Sequence, residues 1–88
     1  MALSPLQKKI MQCLFRKNAV MYLRDLLPAC FGKLSRRDER RRYQAAWASL
    51  SRAVTRLEND GLVVRWHRII RGGVGVGLTD QGRRAVNE

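Results

Sequence analysis

The sequence predicts a small, mainly helical α+β fold held in a single domain spanning residues 1–88. Three observations lead there. Ser35 to Gly61 carries helical periodicity between a start and a stop signal. Two β-prone stretches follow it, Leu62 to Arg68 and Val74 to Leu78, separated by Gly72-Gly73. The chain has 88 residues and is 45% hydrophobic, which suits one small core and excludes a disordered tail.

The elements follow in order. Ser4-Pro5-Leu6-Gln7 is a helix start: Ser4 caps, Pro5 fits the first helical position, and Gln7 stands three residues after the cap. Leu6, Ile10, Met11, Leu14 and Phe15 then recur at helical spacing, predicting a helix from Pro5 to Lys17. Ala19 to Tyr22 is too short for a helix and reads as a short strand. Leu23 to Phe31 reads as a second helix ending at Gly32, with Pro28 expected in the first turn or at a kink.

Ser35 opens the long helix, and Ser35-Arg36-Arg37-Asp38 has a capping-box layout with Asp in place of Glu. Tyr43, Trp47, Leu50, Val54 and Leu57 form its apolar stripe, and Gly61 supplies a left-handed cap. Leu62 to Arg68 and Val74 to Leu78 form a hairpin, which must pack on the helices to be stable. Thr79 caps a last short helix.

Charge narrows the partner. Lys and Arg number 18 against 7 Asp and Glu, giving a net charge of +11 and a pI near 11.3. Neutralising phosphates releases condensed counterions, so this balance favours a polyanion. Fourteen of the cations are Arg, which suits planar, bidentate contact with phosphate or guanine. There is no apolar run long enough to span a bilayer and no secretory leader layout, so no membrane partner is expected. A cytoplasmic, nucleoid-associated location follows. Cys13 and Cys30 with one His67 lack the paired spacing of a zinc site, and both thiols are expected free among apolar residues.

Helix, short strand, helix, long helix and hairpin is the order of a winged helix-turn-helix with a two-stranded β-hairpin wing. Ser51 to Val63 (SRAVTRLENDGLV), followed by Leu78-Thr79-Asp80-Gln81-Gly82-Arg83, resembles the MarR-type winged-helix regulators. In that family a recognition helix runs into an "RLE..GLV" junction and the wing returns into "LT..G". The resemblance implies transcriptional regulation through duplex DNA. The family's long terminal helices have no obvious counterpart here. The tip, Ile69-Ile70-Arg71-Gly72-Gly73, lacks its acidic-plus-Arg motif.

With the stripe turned inward, the outer face of the long helix carries residues suited to a major groove. Gln44, Ala45, Ala48, Ser49, Arg52 and Thr55 are the candidate base readers. Small side chains let the backbone approach, alanine can touch a thymine methyl, and Gln, Ser and Arg can read base edges. Arg37, Arg40, Arg41 and Arg56 are the candidate phosphate contacts, which set register without reading sequence. Arg65, Arg68 and Arg71 are the wing arms, with Arg71 at the tip. Trp66 is expected to pack at the hairpin base, and His67 to lie at the surface.

No arrangement of nucleophile, base and orienting acid is evident, so no enzyme, metal or cofactor is expected. Gly72 to Gly77 lacks the Lys and following helix of a phosphate loop. The expected partner is double-stranded DNA, with two symmetric half-sites if the chain forms a homodimer, and no small-molecule effector is expected. The alternatives are a protein-interaction winged-helix module within a larger complex, and binding of structured RNA.

Overall fold

The computed structural model describes residues 3–17, 20–34, 37–66 and 73–87. Among these, helix α1 (Pro5–Arg16) leads to strand β1 (Val20–Tyr22) and helix α2 (Leu23–Phe31). The long helix α3 (Arg40–Asn59) follows, then strands β2 (Val63–Trp66) and β3 (Gly75–Leu78) and helix α4 (Asp80–Asn87). The strands form one antiparallel sheet in the order β1-β3-β2. The fold is therefore α+β and mainly helical.

Local chemistry sets α1. Ser4 Oγ accepts from the Gln7 N–H at 3.2 Å, and Gln7 Oε1 accepts from the Ser4 N–H at 2.8 Å, closing the expected capping box. Gln7 is thereby buried with its polar end satisfied. Ile10, Met11 and Leu14 enter the core, but Phe15, expected there, is 42% exposed. It lies beside the buried arc of the helix rather than on it.

In α2, Pro28 sits inside the helix, beyond its first turn, where the ring forgoes one backbone hydrogen bond. The helix nevertheless continues to Phe31 and stops at Gly32, whose φ of +78° favours glycine. Leu26, Leu27 and Cys30 anchor it to the core, and that burial outweighs the lost bond. At its start, the Leu23 N–H donates to the Val74 carbonyl at 2.8 Å, so the strand flank satisfies a helix-end donor.

Helix α3 begins at Arg40, not at Ser35. Arg37 and Asp38 lie in a turn, Glu39 is the N-cap without a side-chain capping bond, and Ser35 and Arg36 fall outside the described residues. Among the described upstream cations, Arg40, Arg41 and Arg42 are helical and Arg37 is not. No apolar side chain precedes Tyr43 on this segment to bury a longer helix. The first turn holds three arginines and no acid, which opposes the helix dipole.

The inward arc also differs from the expected stripe. Ala46, Leu50, Ala53, Val54 and Leu57 are buried, while Tyr43 and Trp47 stand half-buried at its edge in a T-shaped contact 6.3 Å between centroids. Two of the five buried residues, Ala46 and Ala53, are alanines.

The C-terminus of α3 is a Schellman turn. Gly61 takes φ +77°, its N–H donates to the Glu58 carbonyl, and the Leu62 N–H donates to the Leu57 carbonyl. Leu57 and Leu62 are both buried, as the motif's apolar contact requires. Thr79 ties this turn to α4. Its hydroxyl donates to the Gly61 carbonyl at 2.6 Å and accepts from the Gly82 N–H at 3.0 Å.

The short strand expected before α2 joins the hairpin, so the described residues form a three-stranded sheet. Val20, Met21 and Tyr22 pair with Gly77, Val76 and Gly75, so β3 is central and β1 covers its second edge. Met21, Val76 and Arg65 share the inner face; Val20, Gly77 and Val64, and then Tyr22, Gly75 and Trp66, form rows on the outer face. Val63 and Val76 close the core against the helices.

Cys30 is buried and Cys13 half-buried, both as free thiols. Burial, then the neighbouring Cys13 thiol, pushes the Cys30 thiol up from 9.0 to about 11. The folded state therefore holds this proton more tightly than the unfolded chain. Stability should be unaffected by Cys30 below pH 9 and decline as pH rises from 9 to about 11. Urea unfolding of Cys30→Ala should lack that component of the decline.

Candidate nucleic-acid interface

Helix α3 turns by about 100° per residue and is about 30 Å long. That rotation gathers Arg41, Gln44, Ala45, Ala48, Arg52, Thr55 and Arg56 on the side away from Leu50 and Leu57. All seven are exposed. Ser49, at the border of this face, is half-buried and less accessible than its position implied. Arg40 is exposed at the first turn, and Arg37 is exposed in the turn that precedes the helix. The structure thus places five of the six base-reading candidates on an open helical face, with Arg40, Arg41 and Arg56 on the same element.

Thr55 is not a free reader. Its Oγ1 accepts a hydrogen bond from Arg65 Nη2 at 2.8 Å, and the same nitrogen approaches the Ser51 carbonyl at 3.5 Å. Arg65, expected as a wing arm, reaches back from β2 onto α3 instead. Alternation along β2 explains this: Val63 and Arg65 share the inner face, and both acceptors of Arg65, the Ser51 carbonyl and Thr55 Oγ1, lie on α3. Its Nε is buried without a hydrogen-bond partner, so the side chain is held only at its tip. Arg65 acts as a brace between the sheet and the outward face of α3. That role was legible in the alternation of β2 but was masked by the charge of the residue.

Arg68, Arg71 and His67 lie outside the described residues. Trp66, expected to pack at the hairpin base, is 41% exposed on the outer face of the sheet. Arg24 was not singled out from the sequence; its guanidinium stacks over the Tyr22 ring, 4.9 Å from the centroid.

No helix among the described residues is long and apolar enough to cross a membrane. No group of three or more metal-binding side chains occurs among them. Comparison of the chain with protein-family models, curated proteins and solved structures returned no match.

Proposed function

We propose that this chain is a winged-helix protein that binds duplex DNA sequence-specifically and acts as a transcriptional regulator. Helix α3 enters the major groove, with Arg52 and Gln44 reading base edges and Ala45 and Ala48 allowing close approach. Arg37, Arg40, Arg41 and Arg56 neutralise flanking phosphates, and Arg68 and Arg71, by their place in the sequence, are the candidates for contact with the backbone or minor groove. The observation that carries this reading is the two-sidedness of α3. One arc is sealed into the core, and the other is an exposed mixture of small, polar and Arg side chains on a chain of net charge +11. The order α1-β1-α2-α3-β2-β3 and the pairing of β1 with β3 are in keeping with a winged helix. The motif resemblance to MarR-type regulators supports the regulatory role.

Selection of bound sequences from a random duplex pool tests the proposal. A consensus should emerge, and a palindrome would indicate two chains on two half-sites. Arg52→Ala should reduce discrimination at one base pair by about 1–3 kcal/mol. Arg37→Ala should weaken all sequences alike. An unenriched pool, or no duplex binding at low salt, would sink the proposal.

A further inference from the structure

We propose a second nucleic-acid site on the outer face of the sheet, where Tyr22 and Trp66 take an unpaired base of single-stranded DNA between them. The register makes the slot. Tyr22 and Trp66 both pair with Gly75, one from each side, so the three residues form one row across the sheet. Neighbouring strands lie about 4.8 Å apart, which sets the two aromatic residues about 10 Å apart at the backbone. Glycine puts no side chain between them. A planar ring stacked on both sides needs about 7–8 Å between the flanking rings, twice an ordinary carbon contact. The next row repeats the pattern, with Val20 and Val64 on either side of Gly77.

Exposure and charge point the same way. Trp66, Val20 and Val64 are 41%, 51% and 39% exposed, so apolar groups are gathered where water could have been met by polar ones. At the β1 side of the slot, an open depression of about 440 Å³ is walled by Lys17, Val20, Met21, Tyr22, Asp25 and Gly75, and not by Trp66. Arg24 lies over the Tyr22 ring. Lys17 and Arg24 outnumber the one acid, on a chain of net charge +11. Aromatic rings flanked by cations are the combination that holds single strands: rings stack on bases of any sequence while cations track the phosphates. The inner face of the sheet braces α3 through Arg65, so this slot faces away from the duplex-binding helix. An unpaired strand and a duplex could then be held at once. The choice of DNA over RNA rests on the proposed role of α3; the slot itself does not.

The chain has two tryptophans, so Trp47→Phe leaves Trp66 as the sole reporter. Oligo(dT) should quench its fluorescence by stacking. Trp66→Ala should lower affinity for oligo(dT) by about tenfold, and Tyr22→Ala should do the same by removing the second ring. Both variants should keep the wild-type circular dichroism and duplex affinity, while Arg52→Ala should keep oligo(dT) affinity. Oligo(dT) binding without duplex binding would support the slot and refute the role of α3. The slot is refuted by unchanged oligo(dT) affinity in both variants, or by equal loss of oligo(dT) and duplex binding. It is also refuted by tighter binding of oligo(rU) than oligo(dT), or by a dimer that Trp66→Ala dissociates.

Discussion

Gly82→Ala is expected to destabilise the protein by about 2–3 kcal/mol, although the same exchange inside an ordinary helix stabilises by up to about 1 kcal/mol. The reversal comes from packing. A Cβ on Gly82 would run into the Leu62 carbonyl oxygen, and would stand 3.1 Å from the Leu62 carbonyl carbon and 3.1 Å from Leu78 Cδ2. Leu62 is backbone in the Schellman turn that ends α3, and its carbonyl already accepts the Thr79 N–H. It cannot yield without disturbing α3, β2 and α4 together. For a chain of this size the loss corresponds to a fall in Tm of roughly 10–20 °C. Thermal unfolding followed by circular dichroism measures it, with the exposed Arg84→Ala as a control expected within about 0.5 kcal/mol of wild type. A Gly82→Ala protein as stable as wild type would mean that α4 does not seat on that turn.

Duplex affinity is expected to fall about 10³–10⁵-fold between about 50 and 200 mM salt if six to ten phosphates are engaged. In the proposed complex the exposed Arg40, Arg41 and Arg56, with Arg37 upstream, would supply several of those contacts. Substituting any one by alanine should reduce the log–log salt slope by about 0.9. Arg40 offers a sharper result. It begins a helix whose first turn has no acid, so Arg40→Glu should stabilise the free protein by about 0.3–1 kcal/mol. The same substitution should weaken duplex binding at every sequence. Unfolding by urea and fluorescence anisotropy on a labelled duplex read the two effects separately. A salt slope near zero would remove phosphate neutralisation, and with it the proposed role of these arginines.

Features written in neighbouring residues were legible in the sequence. The Ser4–Gln7 box, the Gly61 stop and the Thr79 cap each join groups a few residues apart, and each takes the expected geometry. The outward face of α3 was legible for the same reason, since helical rotation is a local rule. What was missed depends on distant partners or on the size of a neighbouring space. Nothing near Val20 announces that it pairs with Gly77. The absence of apolar residues between Ser35 and Arg42 argued against a helix there, but the capping pattern at Ser35 outweighed it. Ala46 and Ala53 are absent from the expected stripe because alanine is weakly apolar, yet both are buried. Arg65 was assigned by its charge; its strand position, beside Val63 on the inner face, was the better guide.

The pairing of β1 with β3 also bears on the order in which the molecule can assemble. Strand β1 emerges early in synthesis, yet its partner is one of the last elements made. At a ribosomal rate of about 5–20 residues per second, β1 waits seconds for Gly75–Leu78. During that wait its backbone edge is unpaired and α3, already synthesised, lacks the strands that brace it. Closing so long a loop is entropically unfavourable until the helices have collapsed, so the sheet should form last. The central strand is thus the keystone of the folding sequence, and substitutions at Val76 should slow folding less than they hasten unfolding.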